Sequence, residues 1–292
     1  MRWLIVGGKG MLGTDLAQLL RDRKESVKVL DRPEIDITNV KSVTEQINDT
    51  DIVVNTAAFT AVDPAEENEA AAFAVNATGP EILARRCADL GVRLVQISTD
   101  YVFAGDAETP YPEGAVMAPK SAYGRTKAAG EWAVRTYTDD YLIIRTAWLY
   151  GAYGNCFPKT MAKLSDAHEQ LSVVTDEWGQ PTWTVDLANL IINLVEAKAP
   201  AGVYHGTASG STNWHGFTKE IVKSYGKDPA MVGETTAAAF NRPAPRPHYS
   251  VLGHQALNRI GVKPIGDWRE RWQMAAPVIF SHLAVSYTHL TL

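Results

Sequence analysis

The sequence lacks the features that mark several classes of protein. It has only two cysteines in 292 residues, Cys87 and Cys156, which is too few for a disulfide framework or a cysteine-built zinc site. No segment approaches the ~20 apolar residues of a membrane helix. The apolar run from Trp3 to Val6 is too short for a signal peptide. We therefore expect a soluble, cytoplasmic protein that does not bind membranes.

Positive charge is also in deficit, since the net charge is -5. A protein that binds the nucleic-acid backbone would present a basic face, so we expect no nucleic-acid partner. The seven histidines form no H-x-x-x-H pair, which leaves a histidine metal site with little support. The length allows one large domain, or one domain with a smaller partner.

Strand and helix patterns alternate through the first half of the chain. The predicted strands are "RWLIV", "SVKVL", "DIVVNTAA", "RLVQIST" and "YLIIRTAW". Predicted helices lie between them, over residues 11–23, 40–47, 65–90 with an interruption near Gly79-Pro80, and 123–137. Such alternation is typical of βαβ units. We predict an α/β fold with a doubly wound, Rossmann-like parallel sheet and a smaller C-terminal substrate-binding lobe.

The regular alternation fades after residue 148. We predict a dinucleotide-binding domain over residues 1–148, with later returns at about 180–207, where a helix "TVDLANLIINLVEA" precedes a strand "GVYHGTA". Residues 149–284 would mainly form the substrate-binding lobe, interleaved with that domain. Residues 285–292 follow a helix that we expect to end near Ser281, and we expect them to be a non-native or disordered tail.

The first strand leads directly into a glycine-rich turn, "GGKGMLG". Gly7, Gly10 and Gly13 are spaced as G-x-x-G-x-x-G. Small residues let the backbone turn tightly and approach a pyrophosphate, which then lies at a helix N-terminus. Three glycines can also form a merely structural loop. The position of this turn between a strand and a helix favours dinucleotide binding.

The end of the second strand bears on the choice of cofactor. Asp31 lies where an acidic residue would accept a hydrogen bond from the ribose of NAD. Arg32 follows directly and could instead hold the 2′-phosphate of NADP. The cofactor therefore stays open between NADH and NADPH. Asp36, in "EIDIT", either caps the next helix or contacts the adenine amino group.

One tyrosine carries a pattern that suggests proton transfer. Of the 11 tyrosines, Tyr123 alone has a lysine, Lys127, four residues further on. Residues four apart share a helix face, and such pairs also occur on ordinary helix surfaces. An ammonium near a phenol favours the phenolate and lowers its pKa. Tyr123 could then donate a proton to a carbonyl oxygen while that carbon is reduced.

The fourth strand ends in "ISTDYVF", which offers three polar side chains. We expect Thr99 to polarise the same carbonyl, because a hydroxyl is needed beside the proton donor. Ser98 could cap or satisfy the backbone, and Asp100 could bind a sugar hydroxyl.

Seven motifs together resemble a known family. They are "GGKGMLG", "NTAAFTAVDPAE", "VNATGPEILA", "STDYVF", "YGRTKAAGE", "RTAWLYG" and "RPHYSVL". They are similar to the extended short-chain dehydrogenase/reductases and, within them, to the dTDP-4-dehydrorhamnose reductase family. The resemblance covers nearly the whole chain, as far as about residue 275. The resemblance implies NAD(P)H-dependent reduction of the C4 keto group of dTDP-4-dehydro-L-rhamnose to dTDP-L-rhamnose, with Tyr123 as proton donor.

The resemblance also implies roles for individual residues. Thr99, Tyr123 and Lys127 would be catalytic. The cofactor would be bound, together with Tyr123 and Lys127, by Gly7, Gly10, Met11, Leu12, Asp31, Arg32, Asp36, Ile37, Ala57, Ala58 and Thr60. The nucleotide sugar would be bound by Val62, Asp100, Tyr101, Trp148 and Arg246. Arg246 would face the nucleotide end or be a surface cation, and Asn76 would lie near the cofactor or be purely structural.

In some members of this family, acidic residues bind magnesium at a dimer interface. Asp15 could supply one ligand, but Val185 lies where a second acid is expected, with Asp186 beside it. We therefore expect no metal and a monomer or weak homodimer. The alternatives to the reductase are a nucleotide-sugar epimerase or dehydratase of the same family, or a non-catalytic regulatory homologue.

Overall fold

Six parallel strands form the central sheet. The computed structural model describes residues 1–288, and side chains as far as residue 283. This sheet contains β1 to β5 and β10, and the other strands form smaller sheets. In chain order, all of these strands are β1 (Arg2–Val6), β2 (Ser26–Leu30), β3 (Ile52–Asn55), β4 (Arg93–Thr99), β5 (Tyr141–Thr146), β6 (Leu149–Tyr150), β7 (Leu171–Val174), β8 (Trp178–Gly179), β9 (Thr182–Trp183), β10 (Gly202–His205), β11 (Thr212–Asn213) and β12 (Val232–Thr235).

Helices connect these strands and cover both faces of the sheet. They are α1 (Met11–Asp22), α2 (Val40–Gln46), α3 (Val62–Glu67), α4 (Glu69–Phe73), α5 (Gly79–Leu90), α6 (Ala122–Tyr137), α7 (Phe157–Ala167), α8 (Thr184–Glu196), α9 (Trp214–Ser224), α10 (Gln255–Arg259) and α11 (Trp268–Thr288). None of the helices in the described part of the chain is both long and apolar enough to cross a membrane.

The order of the strands determines where a ligand can bind. The sheet runs β10-β5-β4-β3-β1-β2, and every neighbouring pair is parallel. The chain continues from β1 to β2 on one side and then crosses to β3 on the other side. Such a reversal opens a crevice outside the carboxyl ends of the strands, where open α/β sheets bind ligands. The prediction of a doubly wound, Rossmann-like sheet is confirmed.

Strand β1 shows how the two faces of the sheet are covered. Successive side chains of a strand point to opposite faces. Trp3 and Ile5 belong to the core that α1 and α8 cover, whereas Leu4 and Val6 belong to the core beneath α2, α5 and α6. An uninterrupted apolar strand is therefore required here, because both faces are buried.

The chain after β5 forms three small two-stranded sheets, which pair β6 with β9, β7 with β12 and β8 with β11. Among the described strands after β5, β10 alone joins the large sheet, beside β5. Phe217 of α9 and Trp272 of α11 pack in the same core as Trp3 and Leu187. The division into a dinucleotide-binding domain and a substrate-binding lobe stays a prediction.

The helical region predicted over residues 65–90 is divided differently from the expectation. It begins earlier, with α3, and Asn68 separates α3 from α4. A π-helical turn, Ala74–Thr78, then leads into α5. The Gly79-Pro80 pair begins α5 and does not interrupt it, because proline fits the first turn of a helix, where its missing N–H is not needed.

The C-terminal helix is longer than the prediction. We expected it to end near Ser281, but α11 continues to Thr288. The expectation that residues 285–292 are a non-native or disordered tail stays a prediction. Residues 289–292 lie outside the described residues.

Candidate active site

A cavity of about 890 Å³, here called the strand-end cavity, lies at the carboxyl ends of β1, β3, β4 and β5. Most of the predicted site residues line it: Gly7, Gly10, Met11, Leu12, Asp31, Arg32, Ile37, Ala57, Ala58, Thr60, Val62, Thr99, Asp100, Tyr101, Tyr123, Lys127 and Trp148. Asp36 and Arg246 are not among the lining residues. Residues from distant parts of the chain thus meet where the strand order predicts a ligand.

The glycine turn lets the chain pass closely over the end of the sheet. Gly7 has a φ of +77°, and a Cβ there would lie 2.5 Å from the backbone nitrogen of Ala57. A Cβ on Gly13 would lie 2.6 Å from the carbonyl oxygen of Gly7. Helix α1 begins here, and no side chain caps its N-terminus. The first-turn N–H groups are thus suited to bind a pyrophosphate, so the turn fits a dinucleotide.

Asp31 and Arg32 lie at the end of β2, directly beside the glycine turn. The Asp31 carboxylate accepts hydrogen bonds from the backbone N–H of Lys9 at 2.9 Å and of Arg32 at 2.8 Å. These bonds fix the carboxylate at the end of β2. The Arg32 side chain is 69% exposed, and its guanidinium lies 4.0 Å from the Asp36 carboxylate. The site therefore offers both an acceptor suited to a ribose hydroxyl and an exposed cation suited to a 2′-phosphate.

Asp36 does not cap the next helix, so that alternative is wrong. The side chain of Asn39 caps α2 by accepting from the backbone N–H of Ser42. Asp36 instead accepts from the backbone N–H and the hydroxyl of Thr38. Asn39 already occupies the cap position, and the turn at Thr38 satisfies the Asp36 carboxylate. The adenine contact stays a prediction.

Several contacts fix the N-terminus of α6, on which Tyr123 and Lys127 lie. Ser121 caps the helix by accepting from the backbone N–H of Gly124 at 3.1 Å. Arg125 forms two hydrogen bonds of 2.8 Å with Glu69 of α4. A Cβ on Gly124 would lie 2.3 Å from the carbonyl oxygen of Tyr101. The glycine in "YGRTK" therefore lets α6 approach the end of β4.

Asn76 joins the loop after β3 to α6. It lies in the π-helical turn and is 1% exposed. Its amide accepts from the backbone N–H of Phe59 at 2.8 Å, and donates to the Phe59 carbonyl at 3.0 Å and to the Thr126 hydroxyl at 3.1 Å. Phe59 lines the strand-end cavity. Asn76 thus supports the wall of the cavity from behind.

Tyr123 is a protonated phenol in this environment. Burial raises the pKa of Tyr123 to about 12. The expectation that Lys127 lowers this pKa is wrong for this structure, because burial dominates. Burial also lowers the pKa of Lys127 to about 8, which nearby Glu131 opposes. The ammonium of Lys127 donates to the carbonyl oxygen of Ile97 at 2.6 Å.

Thr99 and Asp100 form a buried pair beside Tyr123. The Thr99 hydroxyl donates to Oδ1 of Asp100 at 2.9 Å. The other oxygen, Oδ2, is buried and has no hydrogen-bond partner among the described residues. Burial raises the pKa of Asp100 to about 6. A buried, partly unsatisfied carboxyl group that lines a cavity is a candidate to accept from a ligand hydroxyl.

A buried ion pair that we did not predict fastens α6 to the sheet. Arg145 of β5 donates to both oxygens of Glu131, at 2.8 and 2.7 Å. Ser98 also donates to Glu131, at 2.6 Å, so its hydroxyl serves this pair and not a cap. The available signal was the spacing, since Glu131 lies four residues after Lys127 on the same helix face.

Thr146 is another lining residue that we did not predict. It ends β5 and lies opposite Thr99 in the register of the sheet. Its buried hydroxyl has no partner among the described residues. Register partners on neighbouring strands point to the same face, so Thr146 could have been placed beside Thr99 once the strands were paired.

A second cavity of about 650 Å³, here called the lobe cavity, adjoins the first. It contains Arg246 and residues that we did not predict: Phe157, Met161, Leu164, His168, Gln170, Leu171, Ser172, Val173, Val174, Glu177, Trp214, Phe240 and Arg242. Tyr101 lines both cavities. Trp148 of the strand-end cavity stacks on Trp214 of the lobe cavity, with ring centroids 3.5 Å apart. One extended ligand could therefore occupy both cavities.

The acids considered for magnesium already have partners within the chain. Asp15 accepts a hydrogen bond from the Thr184 hydroxyl, and Asp186 forms an ion pair with Arg271. No group of three or more potential ligands occurs among the residues that the structure describes. Metal binding and the oligomeric state stay predictions.

The RmlD substrate binding domain family matches residues 1–278. A probable dTDP-4,6-dihydroxy-2-methyloxan-3-one 4-ketoreductase of Streptomyces antibioticus is 45% identical, over 96% of each protein. A dTDP-4-dehydrorhamnose reductase of Streptomyces griseus is 44% identical, over 95% of this chain and 94% of that protein.

A solved structure of a dTDP-4-dehydrorhamnose reductase from Bacillus anthracis, in complex with NADP, has a TM-score of 0.91 at 36% identity. The match covers 94% of this chain and 98% of that chain. The chain therefore belongs to the RmlD substrate binding domain family and, with it, to the dTDP-4-dehydrorhamnose reductases.

Proposed function

We propose that the chain uses NAD(P)H to reduce the C4 keto group of dTDP-4-dehydro-L-rhamnose, giving dTDP-L-rhamnose. The observation that carries this proposal is that Tyr123, Thr99 and Lys127 line one cavity. The glycine turn, which is suited to a dinucleotide, lines the same cavity. Relatives at 44% and 40% identity bear the name of this activity. The exact sugar rests on those names, because fold and cavity shape alone do not identify a substrate.

Tyr123 is the proposed proton donor. Its raised pKa keeps the phenol protonated at neutral pH, so it can protonate the C4 oxygen as negative charge develops there. NAD(P)H, held by the glycine turn and the end of β2, would supply the hydride to C4. Lys127 stabilises the phenolate that remains and holds the cofactor ribose. The Thr99 hydroxyl, which otherwise donates to Asp100, turns to donate to the C4 oxygen.

The two cavities suggest how the substrate lies. With the sugar beside Tyr123 and Asp100 in the strand-end cavity, the nucleoside would occupy the lobe cavity. The diphosphate would then pass Tyr101, which lines both cavities. Arg246 lies at the lobe cavity and would face that diphosphate, because guanidinium groups suit phosphate recognition.

A second candidate is reduction of a different dTDP-linked 4-keto-6-deoxysugar. It is favoured by the relative from Streptomyces antibioticus, whose name specifies a different 4-ketoreductase substrate at 45% identity. Both candidates use the same proton donor and the same cofactor site. They differ in the sugar, which an assay of several dTDP-linked keto sugars would distinguish.

Cofactor oxidation is the decisive test. Purified protein would be given dTDP-4-dehydro-L-rhamnose with NADPH and, separately, with NADH, while loss of reduced cofactor and the product are followed. The proposal expects one reduced cofactor to be consumed for each dTDP-L-rhamnose formed. Turnover without net cofactor oxidation would indicate an epimerase or dehydratase. The absence of turnover with this sugar and with the other dTDP-linked keto sugars would favour a non-catalytic homologue.

The same assay resolves the roles of Asp31 and Arg32. If Arg32 holds a 2′-phosphate, Arg32→Gln raises KM for NADPH about tenfold and leaves KM for NADH nearly unchanged. Arg21→Gln, on the exposed side of α1, serves as the control. Equal effects on the two cofactors would show that Arg32 does not contact that phosphate.

A further inference from the structure

An ion pair connects the first turn of α3 with the segment that borders the lobe cavity. Arg246 donates from Nη2 to Oδ2 of Asp63 at 2.7 Å. Asp63 also accepts, through Oδ1, from the backbone N–H of Ala244 at 3.1 Å. One carboxylate therefore fixes both the backbone and the guanidinium of the segment 244–246, although it lies more than 180 residues away in the chain.

Asp63 lies at the border between the two cavities. Its neighbour Val62 lines the strand-end cavity, whereas Arg246 lines the lobe cavity. The Arg246 side chain is 16% exposed and that of Asp63 is 36% exposed. This pair is therefore better shielded from solvent than most surface ion pairs, whose contribution is small.

The Arg246 guanidinium can donate further hydrogen bonds to a ligand. Arg246 uses Nη2 for Asp63 and Nη1 for the carbonyl oxygen of Ala244, at 3.0 Å. A guanidinium carries five N–H donors in a rigid fork, so it can keep both contacts and still donate to a phosphate oxygen. With both contacts in place, the direction of the fork is fixed before a ligand binds.

We infer that Asp63 is a positioning residue for substrate binding, because it holds Arg246 in the direction that recognises the diphosphate of the nucleotide sugar. This inference rests on the proposed function, which places the diphosphate between the two cavities. Asp63 does not touch the substrate itself. Its effect is confined to the phosphate-dependent part of binding, since it acts through Arg246.

The test compares ligands with and without phosphate. Binding of dTDP, thymidine and NADPH to wild type and Asp63→Asn is measured by tryptophan fluorescence or calorimetry, with circular dichroism to check folding. We expect Kd for dTDP to rise about tenfold, while Kd for thymidine and for NADPH stay unchanged. In turnover, KM for the nucleotide sugar rises and kcat is nearly unchanged.

A matched control and a double variant separate positioning from general damage. Asp140→Asn removes the carboxylate from a similarly shielded pair with Arg93, at the amino end of β4, and should leave dTDP binding unchanged. In an Arg246→Gln background, Asp63→Asn should have no further effect on Kd for dTDP, because residues that act as one unit are not additive.

The outcomes decide between distinct explanations. Tighter dTDP binding in Asp63→Asn would overturn the inference, since Asp63 would then compete with the phosphate. Equal losses for dTDP and thymidine would also overturn it and would indicate a structural role. Wild-type protein that neither binds dTDP nor oxidises NADPH with the keto sugar would instead contradict the proposed function itself, and the inference with it.

Discussion

The two cavities hold their ionisable groups in different states. In the strand-end cavity, burial moves the pKa of Tyr123 to about 12, of Lys127 to about 8 and of Asp100 to about 6. In the lobe cavity the arginines are ion-paired, Arg242 with Glu177 and Arg246 with Asp63. Perturbed groups in a cleft are typical of proton chemistry, whereas oriented ion pairs suit recognition of a ligand.

This difference predicts that substitutions in the two cavities change different kinetic constants. Changes to Tyr123, Lys127 or Asp100 in the strand-end cavity should alter kcat and its pH dependence, because the reacting groups lie there. Changes in the lobe cavity should alter KM and leave kcat nearly unchanged, because only binding is affected. Each prediction below tests one side of this division.

The largest effect is expected from Tyr123→Phe. Removal of the phenolic proton should lower kcat by about 10²–10⁴-fold, while NADPH binding persists because the ring and the cavity are retained. Steady-state kinetics and cofactor titration measure the two quantities. Tyr137→Phe, at the far end of α6 beneath Arg85, is the matched control. A kcat near that of wild type would show that Tyr123 is not the acid.

Lys127→Met should reduce both kcat and cofactor affinity, with a loss in kcat of about 10²-fold. Since its pKa is lowered to about 8, wild-type Lys127 loses its proton as the pH rises through 8. Activity that needs the ammonium should therefore fall above that pH, and this falling limb should be absent in Lys127→Met. A pH profile of kcat/KM tests this, with the exposed Lys41→Met as control. A falling limb that persists in Lys127→Met would assign it to another group.

Asp100→Asn should stabilise the protein at neutral pH while it weakens turnover. The folded pKa lies above the unfolded value of 3.8, so the carboxyl group binds its proton more tightly when folded. The wild type therefore loses stability as the pH rises from 3.8 through about 6, which corresponds to roughly 3 kcal/mol at neutral pH. An amide avoids this cost.

Urea unfolding at neutral and at acidic pH measures this effect. The advantage of Asp100→Asn should be present near pH 7 and should vanish below the unfolded pKa, where the wild-type carboxyl is neutral in both states. Asp139→Asn, on the exposed surface, should show no such pattern. If Asp100→Asn raised the free energy of unfolding by the same amount at every pH, ionisation of the buried carboxyl group would not be the cause.

The strand-end cavity could be predicted because its signals are local. Gly7, Gly10 and Gly13 follow one strand, and Tyr123 and Lys127 share one helix face, so short spacings suffice. The direction in which the pKa of Tyr123 shifts could not be predicted, because it depends on burial by elements far away in the chain. For the same reason Glu131 was recognised only when Arg145 of β5 was placed beside it.

The lobe cavity could not be predicted in this way. Its lining combines Tyr101, the segment 157–177, Trp214 and the segment 240–246, which meet only through tertiary packing. Of these residues, Tyr101 and Arg246 were predicted, and the family resemblance supplied both. The partner Asp63 carried no signal, because an acid early in a helix is common and its contact lies far along the chain.

Phe240→Ala tests the lobe cavity with the smallest expected effect. Phe240 lines this cavity but is 42% exposed, so its removal should hardly change stability. Loss of an aromatic contact with the nucleoside should raise KM for the nucleotide sugar about threefold to tenfold, with kcat and KM for NADPH unchanged. Val116→Ala, 85% exposed and outside both cavities, is the control. A lowered kcat with unchanged KM would break the division, because a residue remote from Tyr123 would then affect the chemical step.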